Sequence, residues 1–282
     1  MINKNPKTAI ISMIFSCFFF SILGGLIKFL GDDIHGFVQA FYRNFFSIFL
    51  LLPFLIFNVG LKIKTNRHGL LFLRSLFGSL TMVLIFVAYT VAPISQVVAI
   101  SFSTPLFIFL GGIIFFKEET SKTKIFFLVL GFLFVMLAIR PGVTMNVGSV
   151  LALCASFFHA LAGLLVKELA KSEKIITLMF FMVLYMTIIT FFPASFQIMN
   201  LENNKLWFGL FSLAIVGTLG NLFWTFAIAK TNLTDVMPFD FTKLIFATLI
   251  GAVFFSEKVD YWTMIGGSGI VLCNIFLYRL KN

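Results

Sequence analysis

Asp240 and Lys243 stand one helical turn apart in "PFDFTKLIFATLIGAVFFSEK", Pro238 to Lys258, a stretch otherwise apolar enough to cross a bilayer. Two charges at that depth are costly. About ten strongly apolar residues of this stretch each contribute roughly −0.3 to −0.6 kcal/mol to insertion, and the two charges each cost roughly 2.5–3.5 kcal/mol. The sums nearly cancel, so the segment must lean on neighbouring helices and turn its charged face toward protein or a wet cavity. The i, i+3 spacing permits contact. The pair reads two ways: as mutual neutralisation, or as an ammonium that meets an anionic substrate group while the carboxylate orients it or carries a coupling proton.

Other polar side chains fall at membrane depth. Arg74 in "LLFLRSLFG" and Arg43 in "FYRNFF" are expected to snorkel, Arg74 to the cytoplasmic surface and Arg43 to the outer headgroups; Arg74 has an inner-gate or substrate contact as its alternative. His159 in "SFFHALAG" is a buried structural histidine or a proton relay and cavity ligand. Asn221 and Trp224 share one helix face in "GNLFWTF", as core packing or as an aromatic wall with an amide ligand. Ser103 and Thr104 precede Pro105, which removes a backbone donor and leaves the Ser101 carbonyl free for nearby hydroxyls. Pro105 and Pro238 are the candidate hinges. Lys28 and Lys167 stand at helix ends as anchors.

The elements that position these residues are membrane helices. Of 282 residues, 60% are hydrophobic and 11% charged, beyond what a soluble chain could cover with polar surface. The net charge of +10 would suggest nucleic acid in a soluble protein, but there is no hydrophilic domain to grip it. Ten apolar runs are long enough to span: 8–30, 36–59, 69–91, 94–116, 123–140, 147–167, 175–198, 206–229, 233–255 and 261–279. The basic amino-terminal stretch has no small-residue cleavage site and is a retained first span. Cys17, Cys154 and Cys273 fall inside apolar runs without metal spacing and are expected to be buried hydrophobes. Abundant Phe, Ile, Lys and Asn hint at an AT-rich bacterial genome.

With the amino terminus in the cytoplasm, the cytoplasmic segments hold fourteen Lys and Arg residues and the outer loops hold four: Lys28, Arg140, Lys205 and Lys258. This bias places both termini inside. The two halves, 1–140 and 141–282, also repeat at a constant offset of 139 residues: Gly24 with Gly163, Lys28 with Lys167, Gly78 with Gly217, Gly112 with Gly251, Glu118 with Glu257, Arg140 with Arg279. Five spans per half force the second copy to enter the membrane upside down. Inverted repeats are a transporter signature, because two nearly equal halves can exchange conformations around a site between them.

"SFSTPLFIFLGGIIFFKEE", Ser101 to Glu119, with Pro105 thirteen residues before Glu118, resembles the fourth-helix motif of EamA-type members of the drug/metabolite transporter superfamily. "RSLFGSLTMVLIFVAYTVAPISQVVAISF" continues the likeness upstream. Gly217 to Glu257 resembles a second copy, in which "PFDFTKL" is similar to a Pro-x-Asp-aromatic-x-Arg/Lys-Leu pattern of one bacterial branch. The second half departs from the first at the position of Pro105, which holds Leu244 behind Lys243. The resemblance implies an all-α membrane protein of ten helices, two inverted five-helix repeats around a central cavity lined by spans one, three, four, six, eight and nine. It implies transport of small metabolites by alternating access and does not fix one substrate.

The expected function is therefore secondary transport of a small polar metabolite in a bacterial inner membrane. Excess positive charge in the spans favours an amino acid or another carboxylate-bearing compound. The substrate-binding candidates are Lys243, Asp240, Trp224, Asn221, His159, Ser103, Thr104 and Arg74. The expected partners are substrate, lipid and a coupling proton or ion, with a homodimer as an open option and no nucleic acid. No cofactor or metal is expected, and "GGSG", Gly266 to Gly269, serves close helix packing rather than nucleotide binding. The rival classes are a membrane-embedded enzyme acting on a lipid-like substrate, for which no catalytic cluster shows, and a scaffold that would tolerate neutral replacement of Asp240 and Lys243 together.

Overall fold

In lipid every backbone polar group must find an internal partner, so a chain this apolar folds as helices. The computed structural model describes residues 6–31, 33–59, 65–91, 94–140, 146–197, 204–256, 259 and 261–279. These form α1 (Pro6–Leu30), α2 (Gly36–Val59), α3 (His68–Val91), α4 (Ile94–Ser101), α5 (Thr104–Phe116), α6 (Lys122–Ile139), α7 (Val147–Leu169), α8 (Ile175–Ser195), α9 (Asn204–Lys230), α10 (Leu233–Val236), α11 (Thr242–Phe255) and α12 (Tyr261–Arg279), with no strand among the described residues. Ten segments are long and apolar enough to cross a membrane. The expected contributions of Lys4, Lys62, Lys64, Glu257, Lys258 and Lys281 lie outside the described residues.

Two of the ten spans are broken. The fourth consists of α4 and α5, interrupted at Phe102 and Ser103; the ninth runs from α10 through a 3-10 turn, Met237–Phe241, into α11. Pro105 stands in the first turn of α5 and Pro238 in the 3-10 turn, both tolerated there because a first-turn N–H has no helical acceptor. Pro53 and Pro193, by contrast, lie inside unbroken α2 and α8. Side chains of adjacent helices, and Thr242 of the ninth span itself, serve the carbonyls near the breaks. Ser156 Oγ donates to Ile100 O at 3.3 Å, and Cys17 Sγ donates to Phe239 O at 3.8 Å. Thr242 Oγ1 donates to Phe239 O at 2.7 Å and Ser21 Oγ to Lys243 O at 3.1 Å.

The major helix packings are α1 on α9, α3 on α7, α2 on α8 and α6 on α12. The 139-residue offset recurs in this geometry. Ser16 Oγ donates to Gly220 O at 3.0 Å, while Thr81 Oγ1 donates to Ala155 O at 3.3 Å. Ser16 and Ala155 are 139 apart, as are Thr81 and Gly220, so one helix crossing occurs twice with donor and acceptor exchanged. Cys17 and Ser156 likewise touch carbonyls 139 residues apart. Lys117 and Ser256, another such pair, both adopt left-handed φ values, 51° and 52°, and return their N–H groups to Gly112 O and Gly251 O. Phe102 and Phe241, the residues at the two breaks, face each other with ring centroids 6.3 Å apart.

Between α6 and α12 the backbones come close. A Cβ on Gly266 would lie 2.5 Å from Phe134 O, whereas Gly267 faces open space. Cys17 and Cys273 are buried, but Cys154 is exposed, contrary to expectation. It lies on the outward face of α7, where a small apolar thiol suits lipid.

Candidate substrate-binding site

The break in the ninth span delivers Asp240 and Lys243 to the interior. Lys243 Nζ lies 3.3 Å from Asp240 Oδ2; the Asp240 side chain is 8% exposed and that of Lys243 32%. Cys17 Sγ also stands 3.7 Å from Asp240 Oδ1, and the ammonium stands 5.5 Å from the centre of the Phe20 ring. Lys243 is thus held between α1 and α11, paired on one side and open on the other.

His159 of α7 is within electrostatic range of Lys243, Asp240 and Arg74, and is partly open. Its ring meets Trp224 of α9 edge-on at 5.5 Å. Trp224 is almost fully buried, and a Cβ on Gly163 would touch it at 3.1 Å, so the indole closes the wall behind the histidine rather than offering a free face. Asn221 donates from Nδ2 to Gly217 O at 3.0 Å. The same carbonyl accepts from Arg43 Nη2 at 3.4 Å.

Neither arginine snorkels, which corrects the expectation for both. Arg74 is 5% exposed, and its Nη1 rests beside Met186 Sδ at 3.7 Å. Arg43 reaches across to Gly217, near the middle of α9, instead of outward to headgroups. The physical reason is room. Gly78 and Gly217 lack side chains where the guanidinium groups lie: a Cβ on Gly78 would stand 3.3 Å from Arg74 Nη1, and one on Gly217 3.0 Å from Arg43 Nη2. The two glycines are equivalent under the 139-residue offset, a signal present in the sequence that pointed to the arginines only once the packing was known.

At the fourth-span break Thr104 takes a structural partner and Ser103 does not: Thr104 Oγ1 donates to Ser156 O at 3.3 Å, whereas the Ser103 hydroxyl is buried without a hydrogen-bond partner among the described residues. Lys28 and Lys167 are both engaged by protein. Lys167 Nζ donates to Ile228 O at 3.0 Å and to Thr231 O, capping the end of α9, and Lys28 stands over the Phe255 ring at 4.6 Å. Sequence reasoning treated Glu118 only as a motif residue. Its carboxylate accepts from Leu233 N at 2.8 Å and Thr234 N at 2.9 Å, capping α10 of the other half. A separate cleft of about 200 Å³ opens beside Lys124, Asp235 and Pro238, and none of Lys243, His159 and Arg74 lines it.

The sequence profile of the EamA-like transporter family matches residues 7–140 and, a second time, residues 146–279. The chain belongs to this family. As an EamA-like protein it is similar to the "S-adenosylmethionine uptake transporter" of Rickettsia felis, 26% identical over 254 residues, covering 89% of this chain and 85% of that one. It is also similar to the "Pseudopaline exporter CntI" of Pseudomonas aeruginosa, 22% identical over 277 residues with 98% and 97% covered. The "Riboflavin transporter" of Brucella anthropi is 23% identical over 250 residues, with 86% and 87% covered. A solved structure titled "Crystal structure of protein" superposes with a TM-score of 0.84 over 98% of this chain and 99% of that one, at 13% identity, which speaks to the EamA-like chain's fold alone.

Proposed function

We propose that this EamA-like chain is a secondary transporter that moves a small, polar, carboxylate-bearing or zwitterionic metabolite, such as an amino acid, across a bacterial inner membrane by alternating access, and that it is not an enzyme. The observation that carries this is the Lys243–Asp240 pair. It lies at the break of the ninth span, with about a third of the Lys243 side chain open and His159 within electrostatic range. An ammonium there can take a substrate carboxylate while Asp240 holds it in place and is available to carry a coupling proton. Broken helices that present polar groups at mid-depth are the usual construction of transporter sites.

The proposal includes two inverted halves, residues 1–140 and 141–282, with both termini in the cytoplasm. Support comes from the double match of the family profile and from hydrogen bonds that recur at a 139-residue offset. The names of the relatives include both uptake and export of small organic metabolites, so the direction is left to assay.

Proteoliposomes preloaded with a panel of amino acids and small carboxylates test this by counterflow of the labelled compound. Saturable exchange of at least one panel member is expected, lost in Lys243→Met. Absence of saturable exchange for every panel member, by protein shown to be folded, overturns the proposal.

A further inference from the structure

Arg43 and Arg74 lie within electrostatic range of each other, and neither has a carboxylate partner among the described residues. Their hydrogen bonding is thin. Arg74 has one contact, to a thioether, and Arg43 has two long bonds, Nη2 to Gly217 O and Nη1 to Asn44 Oδ1, each 3.4 Å. Arg43 Nε, Arg74 Nε and Asn44 Nδ2 are buried donors with no acceptor. Asn44 is itself 1% exposed.

A buried charge without a counter-charge is strongly unfavourable, and a second like charge within electrostatic range adds repulsion. Water could satisfy the donors but would leave that repulsion in place. An anion removes both costs, and a planar carboxylate also fits the guanidinium fork. Gly78 and Gly217 supply the room that the guanidinium groups themselves occupy, with Met186 beside Gly78.

We propose that Arg43 and Arg74, with the Asn44 amide, form a subsite inside the bundle for a small monovalent anionic group. That group is the carboxylate of a substrate or a free inorganic anion. As a substrate subsite it rests on the transport proposal. It is separate from Lys243, which already has Asp240, and His159 lies within electrostatic range of both Lys243 and Arg74. A substrate bridging them would place its anionic end at the arginines and a second polar group at the Lys243–Asp240 pair.

The test uses the full chain in nanodiscs, melted in the sodium salt of a bulky organic sulfonate, with chloride or acetate replacing the sulfonate stepwise at constant ionic strength. The wild-type melting temperature is expected to rise and saturate with acetate, chloride or both, because a ligand that binds only the folded state stabilises it. Arg43→Gln/Arg74→Gln should abolish the rise. Should that variant not fold, Arg43→Lys/Arg74→Lys serves: it keeps the charges, loses the fork, and should raise the half-saturating concentration about tenfold or more. Stronger response to acetate assigns the subsite to a substrate carboxylate; preference for chloride assigns it to an inorganic ion. Identical wild-type melting in all three anions overturns the subsite, as does a full shift in the glutamine variant or an unchanged half-saturation in the lysine variant. Counterflow in proteoliposomes made from the same purified proteins separates the two proposals. Transport with a flat anion response removes the subsite alone, and an arginine-dependent anion response without transport leaves the subsite standing and removes the transport proposal.

Discussion

Lys243→Met keeps most of the side chain's length and removes its charge. Asp240, with its side chain 8% exposed, then has only the weak Cys17 thiol nearby among the side chains that contact it. Breaking a buried pair from one side costs about 3–5 kcal/mol. The lower end applies here, since Lys243 is about one-third open and part of its charge is already met by solvent. About 3 kcal/mol corresponds to a fall of roughly 6–12 °C in melting temperature for a chain of this size. Asp240→Asn/Lys243→Met leaves no charge unpaired and should melt within about 1 kcal/mol of the wild type, so the double-mutant cycle should give a coupling of at least about 2 kcal/mol, increased by whatever Asp240→Asn costs alone. Transport separates structure from binding. If the ammonium takes the substrate, the double variant is as stable as the wild type and as inactive as the single one. Melting in nanodiscs and counterflow in proteoliposomes read the two quantities. Restored transport in the double variant, or full transport by folded Lys243→Met, would refute a substrate-binding role for Lys243.

Glu118→Ala removes two charge-assisted hydrogen bonds to α10 and should cost about 2–3 kcal/mol by thermal or denaturant melting; a change below about 0.5 kcal/mol would show that α10 needs no cap. Gly266→Ala should destabilise by at least about 2 kcal/mol through overpacking against Phe134 O, with Gly267→Ala nearly neutral, and equal effects of the two would contradict the close α6–α12 approach. In a Cys154→Ser background, cysteines at Lys122 and Lys171 should react with impermeant maleimide only from the cytoplasm and one at Lys205 only from outside; the opposite pattern would invert the proposed topology.

Hydropathy located the membrane segments closely. The run 36–59 coincides with α2 and 261–279 with α12, and most other ends agree within about two residues. The two breaks were not legible as breaks. Proline marked hinges at Pro105 and Pro238, yet Pro53 and Pro193 sit in unbroken helices, so proline alone does not decide. What decides is whether adjacent helices offer donors such as Cys17, Ser21 and Ser156 to the loosened carbonyls, and that is a fact of packing. The arginines were misjudged for a related reason. Local sequence makes snorkelling the cheap option for Arg43 and Arg74, and the space that draws them inward is made by Gly217, far away in sequence, and by Gly78 facing Met186. The Asp240–Lys243 contact was legible because it needs only one helical turn.

The contacts that join residues before 140 to residues after 146 include a group at the end of the bundle where α5 stops and α6 begins. Arg67 meets Glu168 at 3.1 Å, Lys124 meets Asp235 at 2.7 Å, Thr65 donates to Glu173 at 2.7 Å, and Glu118 holds the first two amides of α10. Under the proposed alternating access, these are the contacts that would have to part for that end to open. The ionic contacts are partly exposed and weaken as salt shortens the Debye length, whereas the cap on α10 holds two fixed backbone amides and is far less sensitive. Raising ionic strength should therefore weaken the ionic contacts more than the cap on α10, and under the proposed alternating access the opening of this end would follow the salt in the bathing solution.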